Sequence, residues 1–326
     1  MPTLAELYVY PVKACRGVPV DSAVVTPTGL AFDRNWVIVR AESGKFLTQR
    51  QLPKLALVEV ELVPGALLQG ADLAAHPDAK LVLRAPGMAQ ELQVPITASP
   101  VAGKKIVPVT VWDWSGLGAD EGDAAASWLS SYLGIPVRLV RYAGQAGTPG
   151  APADDPQRRA VDPAWAPVGS EAETAFSDGY AFLLANAASL DDLNRHLAAK
   201  GEAALPINRF RPNFVVAGAD PWQEDAWASL RFGGGDGGVA FENVKPCDRC
   251  KVTTINQATA EEGLEPLVTL RERRSGNALG WGAMPKGAVF FATNLVARQR
   301  GVVRRGDAVE VTALHSGPPA PRSPPQ

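Results

Sequence analysis

Twenty-eight prolines and 31 glycines are spread along the 326 residues, and this punctuation limits what the chain can fold into. A proline removes a backbone donor and fixes φ, and a glycine weakens any regular element it interrupts. Long helices are therefore excluded over most of the chain, and many short elements joined by turns favour a strand-rich architecture. The runs between the breaks agree. "LAELYVYPV" is mostly β-formers, and "RNWVIVRAESGKFLTQR" reads as two strands around a Ser-Gly turn. "KLALVEVELV" alternates at period two, while "ELQVPI" and "KKIVPVTVWDW" add short strands whose prolines mark edges or barrel corners.

Helices are few. "DEGDAAASWLSSYLG" opens acidic, sets Ala126, Leu129, Ser130 and Leu133 at helical spacing and stops at Gly134. In "SLDDLNRHLAAKG" the spacing predicts a helix with Ser189 as N-cap, Asp191 and Asp192 in its first turn, and Gly201 at its end. Strands are expected at "IPVRLVRY", "YAFLLAN", "NFVVAG", "GGVAFENV" and "CKVTTI", and two more around a Gly-Asp turn close the chain near residue 314.

Residues 146–173 are rich in Pro, Ala and Asp without periodicity, which predicts a surface connection between two regions, 1–145 and 174–314. The proline-rich tail 315–326 is expected to be disordered. A formal charge of −2 offers no electrostatic basis for binding nucleic acid or an anionic membrane. No run approaches the ~18 apolar residues of a membrane span. With three cysteines and no basic region leading into an apolar core at its start, the chain is expected in the cytoplasm.

Two of the three cysteines stand in "KPCDRCKVTT" as Cys247-x-x-Cys250. A structural zinc site takes about four ligands; beyond this pair only Cys15, His76, His196 and His315 remain, none in a second paired motif. A redox disulfide would sit at a helix N-terminus, whereas the β-branched run that follows predicts a strand. Two buried thiols acting as small hydrophobes are an ordinary outcome. The fourth reading is a single thiolate on a soft metal, with Arg249 and Lys251 supplying positive charge. It gains from other anion-binding side chains. Lys13 and Arg16 fall at a strand-to-turn junction in "YPVKACRGVPV", and Arg34 precedes a strand in "FDRNWVIV". Arg211 stands before Pro212, which is expected to hold it extended, with Asn213 following. Ser177, Asp178 and Gly179 form a polar turn before a buried strand. Arginine forks bind phosphate, and Ser and Asn hydrogen-bond neutral heterocycles.

Across residues 3–314 the segments "YPVKAC", "FDRNW", "FLTQRQLPKL", "SDGYAFLLANAASLDDLN", "FRPNFVV", "CDRCKVTT" and "FFATNLVARQRGVVRRGD" occur in the order found in one family. The chain resembles the MOSC proteins with an N-terminal MOSC β-barrel region. Within them it is similar to the mitochondrial amidoxime-reducing component and its bacterial relatives. The resemblance implies a strand-rich α+β fold: an N-terminal MOSC β-barrel-like region, then a MOSC β-barrel domain with flanking helices. It implies molybdenum cofactor (Mo-molybdopterin), and reduction of N-hydroxylated small molecules such as amidoximes to amines. A non-catalytic cofactor or sulfur carrier is the alternative, and a zinc- or iron-binding structural protein a further one.

By position, the resemblance assigns Cys250 as the molybdenum thiolate and catalytic ligand. Cofactor contacts would come from Lys13, Ala14, Arg34, Ser177, Asp178, Arg211, Asn213, Asp248, Arg249 and Asn294, with Cys247 structural. Ala14 stands where relatives have serine, forgoing a hydrogen bond worth about 1 kcal/mol, and Asp248 stands where serine is frequent. Asp178 and Asp248 are candidate proton carriers. Three cysteines with one committed to molybdenum leave no four-cysteine iron–sulfur site, and no GxGxxG fingerprint follows a strand. Electrons are therefore expected from a separate ferredoxin, flavodoxin or cytochrome with its reductase.

Overall fold

The computed structural model describes residues 1–97, 99–144, 159–167, 170, 172–234 and 237–321. Parts of the expected connection and the last residues of the tail lie outside this range. The described chain is a strand-rich α+β structure with four sheets and three α-helices.

The largest sheet runs Val309–Leu314, Trp227–Phe232, Val239–Asp248, Phe290–Ala297, Phe182–Asn186, Phe214–Ala217, Thr3–Val9, Val18–Pro19. The first strand of the chain thus pairs with Phe214–Ala217, with Leu7 opposite Phe214. A smaller sheet carries Trp36–Arg40, Val137–Tyr142, Trp114–Asp120 and Ile106–Val111. A third joins Gly301–Arg304 to Ser22–Thr26 and Gly29–Leu30, so both ends of the chain cross to the opposite half. The closing segment holds three strands: the expected pair around Gly306-Asp307 follows Phe290–Ala297. One apolar core runs through both halves, including Leu4, Trp36, Leu81, Phe182, Phe241 and Val303. Each such side chain contributes about 1.5–3 kcal/mol by leaving water.

Helix α1 (Asp123–Leu133) buries Ala125, Ala126, Leu129 and Leu133 and ends at Gly134, whose φ of 78° closes the last turn without a Cβ penalty. Half-buried Ser130 accepts from Val137 N at 3.0 Å and ties the helix to the next strand. Helix α2 (Ala187–Ala198) starts before the expected cap. Asn186 caps it, accepting from Ala188 N, and Asp191 and Asp192 fall beyond the first turn. Ser189 is buried inside the helix, where its hydroxyl donates to Glu224 at 2.7 Å. A tertiary partner thus removed the best local cap residue from that role. Helix α3 (Leu267–Arg274) packs on α2.

The expected strand "CKVTTI" is instead a 3-10 turn, Lys251–Thr254. The hydroxyls of Thr253 and Thr254 donate to the Cys250 and Lys251 carbonyls, and this local bonding outweighs β-propensity. Among the described residues no helix is long and apolar enough to cross a membrane.

Candidate functional site

One cleft between the two halves collects Lys13, Ala14, Arg34, Ser177, Asp178, Arg211, Asn213, Asp248, Arg249, Cys250 and Asn294, but not Lys251, which pairs with Glu262. It also gathers residues the sequence reading passed over, among them Gln49, Arg50, Trp112 and Tyr180. Arg16 is not among them; it pairs with Glu59 at 2.6 Å.

The backbone is strained here. Among the described residues eight non-glycine residues have positive φ, and four of them line the cleft: Ala14 (68°), Arg34 (49°), Trp112 (54°) and Arg211 (56°). Each such conformation costs on the order of 1–3 kcal/mol and persists only where surrounding contacts impose it. Arg211 is therefore not extended. Pro212 disfavours only the right-handed helical region before it, and the short helix Ile207–Arg209 ends in a reversal that Arg211 completes, its N–H donating to the Asn208 carbonyl.

The Tyr10 ring organises two cations, with the Arg34 guanidinium 4.2 Å from its centroid and that of Arg211 at 4.5 Å. Such contacts contribute about 0.5–2 kcal/mol each. Buried Asp33 balances the charge: it accepts from Arg34 at 2.5 Å, from Asn213 at 3.2 Å and from Tyr10 N at 2.8 Å. Burial pushes its carboxyl up, opposed by Arg34. Arg211 donates to the Cys15 carbonyl at 2.6 Å, and burial pulls its guanidinium below the ordinary value. Asp33 lies inside "FDRNW", but its role depends on Asn213, 180 residues away, and so has no local sequence signal.

On the facing wall Lys13 donates to Asp178 at 2.6 Å, and the Trp112 indole donates to the same oxygen at 3.0 Å. Burial lowers the Lys13 ammonium to about 8, with Asp178 opposing the fall. The Asp178 side chain is 75% exposed, and what desolvation the cleft imposes on its carboxyl is outweighed by Lys13, Trp112 and Arg159, which hold it below the usual carboxylate range. Ser177 is buried, and its hydroxyl has no partner among the described residues.

The two motif cysteines differ. Cys247 is the next-to-last residue of the strand Val239–Asp248 and takes a hydrogen bond from Arg249 at 2.8 Å, while Arg249 also donates to the Phe210 carbonyl. Both terminal nitrogens of Arg249 thus bond the protein, while its Nε has no partner among the described residues. Burial pushes the Cys247 thiol up, with Arg249 pulling the other way. Cys250 is exposed on the cleft wall, and the cysteines are unpaired. Among the described residues no three His, Cys, Asp or Glu side chains converge to hold a metal, so a protein-only zinc site finds no ligand set there. Asn294 spends its amide on the Lys245 carbonyl at 3.2 Å.

These features suit an anionic heterocyclic group bearing a soft metal: the cations Lys13, Arg34 and Arg211 among others, the unpartnered buried hydroxyl of Ser177 and the exposed thiol of Cys250. Comparison with known proteins agrees. Residues 1–136 match the MOSC N-terminal beta barrel domain and residues 171–310 the MOSC domain. The chain is 32% identical to mitochondrial amidoxime reducing component 2 of Bos taurus, over 83% of this chain and 72% of that one. It is 31% identical to mitochondrial amidoxime-reducing component 1 of Homo sapiens, over 94% and 82%. A molybdenum cofactor sulfurase of Drosophila mojavensis is 30% identical over 84% of this chain but only 31% of its own length. The chain belongs to the MOSC proteins, in the family of the mitochondrial amidoxime-reducing components.

Proposed function

We propose that the protein is a molybdenum-cofactor-dependent reductase of N-hydroxylated compounds, supplied with electrons by a separate protein. The observation that carries this reading is the convergence of an accessible Cys250 thiol with Lys13, Arg34 and Arg211 on one cleft. The overall change is R–NHOH + 2 e⁻ + 2 H⁺ → R–NH₂ + H₂O. The cofactor, when bound, supplies the two-electron centre that takes oxygen from the N–O bond.

The chain's own residues bind and orient. Arg34 and Arg211, pre-set on Tyr10, would hold the phosphate of the pterin by charge. Lys13 adds a third positive charge, and the free hydroxyl of Ser177 hydrogen-bonds the heterocycle. Cys250 is the protein's ligand to the metal, and Cys247 stays a protonated, Arg249-bound thiol. Asp178 remains anionic near neutral pH, so it serves as the charge partner of Lys13 rather than as a proton donor. A cytoplasmic location is part of the same proposal.

The decisive experiment is metal and pterin analysis of protein made with molybdate available, with amidoxime reduction assayed on the same sample. One molybdenum per chain and turnover with reduced viologen, but not with NADH alone, are expected. Zinc in place of molybdenum refutes the reading. The similarity to a cofactor sulfurase favours a second reading, a cofactor or sulfur carrier; bound molybdenum without turnover supports it.

A further inference from the structure

Arg159 lies between the two matched regions, 1–136 and 171–310. It is buried, 7% exposed, and its guanidinium grips one short stretch of chain. One terminal nitrogen donates to Thr174 Oγ1 at 2.9 Å, to the Ala175 carbonyl at 3.3 Å and to the Ser177 carbonyl; the other donates to the Asp178 carbonyl. Thr174 N returns a bond to the Arg159 carbonyl at 2.9 Å. Among the described residues no backbone N–H serves the Ser177 or Asp178 carbonyl.

We propose that Arg159 is the positioning residue of the cleft: its fork holds the Ser177–Asp178 turn so that the Asp178 carboxylate meets Lys13 and the Ser177 hydroxyl faces a ligand. The turn itself has little else to fix it. Phe176 N bonds the Arg34 carbonyl at 3.0 Å, and beyond that point regular pairing resumes only at Phe182. The guanidinium sets five donors in a rigid planar fork that reaches acceptors along the turn, whereas a lysine has three donors about one point and a glutamine two. Because Arg159 grips the Asp178 carbonyl, the carboxylate stays available to Lys13 and Trp112.

The test compares the wild type with Arg159→Gln and Arg159→Lys. The first measurement is the pH midpoint for acylation of Lys13 by a small amine-reactive reagent, read by mass spectrometry on cofactor-free protein. The charged groups acting on that ammonium are Asp178, Arg159 and Arg34, so the direction of change discriminates. Loss of the Asp178 partner lowers the midpoint, by about one unit; simple loss of a nearby positive charge raises it. A lowered midpoint is expected in Arg159→Gln, and also in Arg159→Lys, which keeps the charge without the fork. A raised or unchanged midpoint in a folded variant overturns the proposal. If Arg159→Gln does not fold, Arg159→Lys alone decides. The second measurement is molybdenum and pterin content, expected to fall several-fold in both variants. Only this part rests on the cofactor reading. If the wild type holds neither molybdenum nor pterin while the Lys13 midpoint still falls, the cofactor reading fails and the role of Arg159 stands.

Discussion

Lys13 Nζ lies 2.6 Å from Asp178 Oδ1, across 165 residues of sequence, and this ion pair closes the cleft from both halves of the chain. Burial brings the Lys13 ammonium down to about 8. Below that pH the group is charged and attracts anions; above it the proton leaves and the cleft loses one cation. Sulfate, whose charge is constant there, should bind cofactor-free protein more weakly above pH 8, as measured by calorimetry. Lys13→Met should bind it weakly throughout, with no such fall.

Cys250→Ser should abolish turnover and deplete molybdenum, since a hydroxyl is a harder and far less acidic ligand than a thiol. Cys247→Ser should keep most of the activity, because the Cys247 thiol is engaged by Arg249. Equal loss in both variants, assayed with reduced viologen, contradicts the assignment.

Arg34→Ala and Arg211→Ala should each leave a folded protein with low cofactor content, as a charge-assisted contact typically contributes about 1.5–3 kcal/mol. Tyr10→Leu should weaken binding as well, since it removes the ring on which both guanidiniums rest. Full molybdenum occupancy in all three variants refutes an anion-binding role.

Glu224 is fully buried and accepts from Ser189 and Asn186. Burial, then the neighbouring Asp225, raises its carboxyl from 4.5 to about 7. A raised folded pKa stabilises below the unfolded value and loses that contribution as pH climbs through the folded one. Urea unfolding should show wild-type stability declining between pH 4.5 and 7, by up to about 3 kcal/mol from this group. Glu224→Gln should flatten the decline; an unchanged slope assigns it to other groups.

The sequence by itself determined the class of fold and the chemical members of the cleft. Period-two runs and frequent breaks mark strands because alternation and punctuation are local properties, and α1 ends at Gly134 for the same reason. The ordered motifs carried the candidate site residues from Lys13 to Asn294, and these line one cleft. Tertiary structure decided what depends on partners distant in sequence. It moved the α2 cap from Ser189 to Asn186 because Glu224 claims the Ser189 hydroxyl. It forced Ala14, Arg34 and Arg211 into left-handed backbone that no local preference predicts. It also brought Arg159, in a proline-rich stretch with no periodicity to read, onto the carbonyls of Ser177 and Asp178. Strand and helix patterns are written in neighbouring residues; a buried charge finds its partners only when the whole chain has closed around it.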